Sequence, residues 1–127
     1  MKSARLLLLV FLLGAGSAFG QGTKNPPCSD ANTQAEMNIC AGKEYKAADA
    51  NLNRVYQQLV AMLEPEEKGQ LKVAQTAWIK YRDANCEFVA DQYRGGSIRP
   101  TIYGLCLADV TQNRTAELKT QIKDRSN

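Results

Sequence analysis

The residues of this chain best placed to do chemistry, or to lock it, are four cysteines: Cys28, Cys40, Cys86 and Cys106. Four-cysteine zinc sites usually contain closely spaced pairs, whereas the nearest pair here, Cys28 and Cys40, has eleven residues between its members. An even number of widely spaced cysteines reads instead as two disulfides formed in an oxidising compartment. Other reactive groups are sparse. The chain contains no histidine, the commonest general acid or base, and oxidised cysteines are not nucleophiles. Asp83 and Glu87 have the look of paired acids, but acids four apart are common on a solvated helix face and imply no pocket. A phosphate-cradling glycine loop is also missing from the sequence. The expectation is a protein that is not an enzyme, with no metal and no cofactor.

Two groups of residues are better suited to binding or packing. The segment Arg94-Gly95-Gly96-Ser97-Ile98-Arg99 offers two guanidinium groups, which pair well with carboxylates; Arg94 and Arg99 are the candidate partner contacts. The alternative is a solvated turn whose glycines satisfy backbone geometry. Trp78 and Tyr81 are of the type that anchors interfaces, yet their spacing places them on an inward stripe, so core packing is expected. Arg82 and Asp83 flank that stripe, with an ion pair from Arg82 to Asp109 expected at matching height.

Helices must position these groups. Gln21 to Asn32 is an extended lead-in, since Pro26-Pro27 cannot sit inside a helix. Thr33-Gln34-Ala35-Glu36 matches a capping box. From there Met37, Ala41, Tyr45, Ala48, Leu52, Val55, Leu59 and Met62 recur at steps of four and three. Gly42 interrupts the stripe and suggests close packing near Cys40. Pro65 suits the first turn of a second helix, with Glu66 and Glu67 favoured by its dipole; its stripe is Leu71, Ala74, Trp78, Tyr81, Asn85 and Phe88. Gly95-Gly96-Ser97 breaks the pattern, and Pro100 opens a third segment with Tyr103, Leu107, Val110, Leu118 and Ile122 inward. Helices are expected near 34–63, 66–93 and 101–122, in a domain spanning 33–123 with a frayed tail at 124–127.

Short connections predict an all-α fold: a small antiparallel three-helix bundle or helical hairpin array braced by two disulfides. Cys86 and Cys106 are each ten residues from position 96, at equal height on facing helices. This favours Cys86 with Cys106 and leaves Cys28 to Cys40. Cys40 with Cys86 or with Cys106 is the alternative, because Cys40 lies near the same end.

Residues 1–20 carry Lys2 and Arg5, the apolar stretch Leu6 to Leu13, and small residues from Gly14 to Gly20. That is the pattern of a secretory signal peptide, too short for the roughly 20 apolar residues of a membrane-spanning helix. Cleavage after Gly20, or alternatively after Ala18, leaves no stable membrane anchor and no cysteine for lipid attachment. Removing Lys2 and Arg5 leaves 14 basic against 13 acidic side chains, a net charge of +1. Without a basic excess or stripe, nucleic acid is not an expected partner.

The second-helix run Leu71-Lys72-Val73-Ala74-Gln75-Thr76-Ala77-Trp78-Ile79-Lys80-Tyr81-Arg82-Asp83-Ala84-Asn85-Cys86 resembles the signature of the LprI-type lysozyme-inhibitor family. The resemblance continues in Met37-Asn38-Ile39-Cys40-Ala41, Gly95-Gly96-Ser97-Ile98, Tyr103 with Cys106-Leu107-Ala108, and Arg114-Thr115-Ala116-Glu117-Leu118. It makes Trp78, Tyr81, Arg82 and Asp83 family-motif residues with a structural role. The resemblance implies an exported helical protein, periplasmic or secreted, with a protein partner; the candidate partner is a lysozyme or related cell-wall hydrolase. A structural or interaction module of the cell envelope is the alternative. The chain departs from the lipoprotein members in lacking a lipid-acceptor cysteine.

Overall fold

The computed structural model describes residues 25–127. The expected signal segment, residues 1–20, and the first part of the lead-in lie outside the described residues. Among those described there are three helices and no strand: α1 (Gln34–Val60), α2 (Pro65–Asp91) and α3 (Arg99–Arg125). None is long and apolar enough to cross a membrane.

Helix α1 starts at the expected capping box. The Glu36 amide donates to Thr33 Oγ1 at 3.1 Å, and the Thr33 and Asn32 amides donate to the Glu36 carboxylate at 3.2 and 2.7 Å. It stops three residues short of the expected end. Ala61 to Leu63 form a tightened turn in which Met62 and Leu63 amides donate to the carbonyls of Leu59 and Val60. The turn swings Leu63 into the core and leaves Met62, expected inward, exposed. Pro65 opens α2 in the first turn, where its missing N–H is no loss. Helix α3 runs past the expected end at 122, because the cationic side chains Lys123 and Arg125 suit a helix C-terminus and Arg125 also donates to Gln121 at 2.8 Å.

The tightest pairing joins α1 to α3, which are not consecutive, and the two run parallel: Gln34 donates to Thr101 at 2.8 Å near their starts, and Leu118 packs with Leu52, Val55 and Leu59 farther along. Helix α2 runs antiparallel to both. The seam between α1 and α3 is made of small residues, with Ala41, Ala48, Gly104, Ala108, Thr111 and Thr115 all buried. Gly104 lets the backbones meet: a Cβ there would lie 3.0 Å from the Ala41 Cβ. Gly42, expected to mark such an approach, faces open space.

Helix α2 meets α1 through large side chains, Arg82 beside Tyr45 and Trp78 against the Leu52–Leu118 core. Leu71 and Trp78 of its expected inward stripe pack against the core, but beyond Trp78 the stripe is shifted by one residue, ~100° around the axis. Arg82, Cys86 and Ala90 are buried, whereas Tyr81 and Phe88, expected inside, are 60% and 79% exposed. Two disulfides brace one end of the bundle, where α1 and α3 start and α2 finishes: Cys28 is bonded to Cys40, and Cys86 to Cys106.

Candidate functional site

The end of the molecule formed by the α2–α3 connection carries both arginines singled out above. Its backbone closes by successive turns, with Tyr93 and Arg94 amides donating to the carbonyls of Ala90 and Asp91 at 3.0 Å each, and the Gly96 amide to that of Tyr93 at 2.9 Å. Gly95 takes a left-handed conformation (φ 80), which costs a glycine little. Gly96 sits where a Cβ would be 3.2 Å from the Tyr93 carbonyl. Below the turn, the Cys86–Cys106 bond ties α2 to α3. The tip is therefore exposed yet anchored at its base.

Neither arginine stands free. Arg94, its side chain 78% exposed, forks onto Asp91 with Nε and Nη2 at 2.9 and 2.7 Å. The hydrogen bond to Asp91, and then that residue's charge, hold the guanidinium pKa above its ordinary value, so Arg94 stays charged. Arg99 reaches across the turn to Glu87 at 2.6 Å. The segment read from sequence as basic is thus electrically balanced by acids from the last two turns of α2. Tyr93 and Ile98 add partly exposed apolar surface beside Arg94; sequence reasoning did not single them out, although both flank the glycine break.

The motif residues divide. Arg82 is buried, its guanidinium carbon 5.3 Å from the Tyr45 ring centre and 5.2 Å from that of Trp78. It pairs with Asp83 at 2.9 Å and approaches Asp49 at 3.9 Å. The expected partner, Asp109, is exposed on α3 and takes no part. Trp78 is half-buried against the Leu52–Leu118 core, while Tyr81 points outward. Asp83 and Glu87 serve different arginines and do not face one another across a pocket. Near them, burial foremost, then the charges of Glu87 and Asp83, push the Tyr103 phenol pKa up, so it remains a neutral hydroxyl. Arg82, Tyr45, Trp78 and Asp83 thus form the polar bolt of the bundle.

Among the described residues, no group of three or more acids or cysteines is arranged to hold a metal ion. The surface hollows are open and shallow; one, between α2 and α3 at the far end, has a floor of Leu59, Leu63, Leu71 and Leu118 and a rim carrying Arg114 and Glu117.

Comparison with known proteins places this architecture. The chain is similar along its whole length to an uncharacterized protein of Rhizobium meliloti (strain 1021), 38% identical over 140 residues with 100% of each chain covered. No solved structure matches it. The family described as Lysozyme inhibitor LprI matches residues 27–118, a stretch that takes in both disulfides, the Arg82 bolt and the α2–α3 tip. On that match, the chain belongs to the LprI lysozyme-inhibitor family.

Proposed function

We propose that this chain is an exported, non-enzymatic inhibitor of a lysozyme or related cell-wall hydrolase, and that it acts through the α2–α3 tip with Arg94 and Arg99 as leading contacts. Family membership supports the class. Two disulfides support a compartment outside the cytoplasm. The observation that carries the site is Arg94 itself, a highly exposed guanidinium on a turn anchored by Cys86–Cys106.

Its pairing with Asp91 does not remove it from service. An exposed ion pair stabilises little because water screens it, so Arg94 can exchange Asp91 for a carboxylate of the enzyme at little cost. Glycosidases offer two such groups flanking the scissile bond, one of them ionised. A pre-held turn also reduces the ordering cost of binding. Residual activity of purified lysozymes, titrated with the oxidised protein, tests the reading. The double substitution Arg94→Ala/Arg99→Ala is expected to weaken inhibition by about tenfold or more, with helical content and thermal unfolding nearly unchanged. Undiminished inhibition removes the tip from the reading but leaves the class; absence of binding by the wild-type chain to several lysozyme types removes the class in favour of an envelope interaction module.

A further inference from the structure

The outward shift of Tyr81 and Phe88 uncovers a second periodic row on α2. Val73, Ala77, Tyr81, Ala84 and Phe88 recur at steps of four, four, three and four, and all five are exposed, Val73 at 72% and Phe88 at 79%. The helix buries the opposite side, through Arg82, Cys86 and Ala90, so this row is unused by the fold. We propose that it is a self-association surface, on which two copies of the chain pair through α2 in antiparallel orientation.

Three features select a second copy as the occupant. The row is nearly palindromic about Tyr81: reversing one helix against another sets Val73 opposite Phe88 and Ala77 opposite Ala84, as a two-fold interface requires. The two alanines, seven residues apart, leave room for the helices to approach closely. Second, the row supplies both knob and hole. Lys72, Val73, Thr76, Ala77 and Lys80 line a shallow depression of ≈ 400 Å³, and in that register each depression receives the Phe88 ring of the other copy.

The third feature is charge. Along one flank of the row, the N-terminal half carries Lys72 and Lys80 and the C-terminal half carries Asp83, Glu87 and Asp91. In an antiparallel pair like flanks meet in opposite directions, so lysines of one copy face acids of the other. In a parallel pair each charged flank would instead face the opposite flank of the other copy, and the lysines and acids would not meet. Among the described residues Lys72 and Lys80 have no salt-bridge partner within the chain, and they are free to reach across. The near-neutral chain adds no net repulsion. A contact strip about 22 Å long gives an interface at the small end of specific complexes, consistent with a dissociation constant in the micromolar range.

This inference does not rest on the inhibitor reading, although Glu87 and Asp91 also pair with Arg99 and Arg94 of the tip, and it is tested on the full oxidised chain by sedimentation velocity from about 1 to about 500 µM. The weight-average mass of the wild type should rise from monomer toward dimer. Phe88→Asp, at a site too exposed to endanger folding, should weaken association by at least about tenfold. Lys72→Glu/Lys80→Glu should do the same by facing acids with acids, and both variants should inhibit lysozyme as the wild type does. A wild type that stays monomeric throughout, or either variant associating as well as the wild type, overturns the proposal. So does loss of lysozyme binding by Phe88→Asp in a monomeric background, which would assign the face to the hydrolase.

Discussion

Arg82 shows how a charged side chain becomes a core residue. At 7% exposure an unpaired guanidinium would be strongly disfavoured, but this one lies near two aromatic rings and two carboxylates, Asp83 and Asp49. Each aromatic contact contributes roughly 0.5–1 kcal/mol, and a charge-assisted hydrogen bond about 1.5–3 kcal/mol. Because Asp83 is half-exposed, the lower part of that range applies. Arg82→Ala is therefore expected to cost about 2–4 kcal/mol in a denaturant titration, much of it from the packing of the alkyl stem. Arg82→Lys should recover less than half, since a compact ammonium cannot serve both rings and a carboxylate at once. Equal stability of the lysine variant and the wild type would show that charge alone matters there. Spacing by three and four placed Tyr81 inside and Arg82 at the edge of the stripe; the three-dimensional pairing with Tyr45 and Asp49 of another helix, some three dozen positions earlier, had no local signal.

At the scale of elements, the legible part of the sequence was the part carried by local chemistry. The Thr33–Glu36 box fixed the start of α1 and Pro65 the start of α2, because caps and prolines act on their own backbone. The α1 stripe from Ala41 to Leu59 was found with its correct phase. The phase of α2 was right as far as Trp78 and off by one residue beyond it, although one clue was present: a Cys86–Cys106 bond requires Cys86, and not Asn85, to face α3. The choice of α1 with α3 as the tight pair was not legible either, since it rests on contacts between small residues rather than on conspicuous apolar ones. Glycine substitutions separate the two kinds of position. Gly104→Ala puts a methyl 3.0 Å from the Ala41 Cβ and 3.2 Å from its carbonyl carbon, both backbone-anchored, so overpacking should cost about 1–3 kcal/mol. Gly42→Ala and Gly69→Ala, in helices with nothing within 4 Å, should each stabilise by about 0.5–1 kcal/mol. Thermal unfolding of the three single variants reads out both signs, and a stabilising Gly104→Ala would contradict the close α1–α3 approach.

Across the whole molecule, stability is distributed unevenly. Helices α1 and α3 share the Leu52–Leu118 core and the small-residue seam, and their starts are tied by Gln34, Asn38 and Thr101. Helix α2 contributes three buried residues along its 27, of which Arg82 is charged and Cys86 is cross-linked. Its remaining polar ties to α3 are side-chain bonds: Arg99 to Glu87 at 2.6 Å and Asn85 to Cys106 Sγ at 3.9 Å beside the disulfide, and at the far end Arg114 to Gln75 at 3.0 Å and Arg125 to Glu67 at 3.6 Å. Exposed or half-exposed polar ties of that kind stabilise weakly. The Cys86–Cys106 bond, closing a separation of 20 residues, should contribute about 3 kcal/mol by restricting the unfolded chain, a large share of what holds α2 in place. Cys86→Ala/Cys106→Ala should accordingly loosen α2 before the rest. Hydrogen exchange should show amides of α2 losing protection by a larger factor than those at the centres of α1 and α3, because segments with few buried apolar contacts open first. Removing Cys28–Cys40, which closes a separation of 12 residues at the start of α1, should leave α2 protection close to that of the wild type. Uniform loss of protection across all three helices in the Cys86→Ala/Cys106→Ala chain would mean that the bundle opens as one unit and that α2 is no less embedded than its partners.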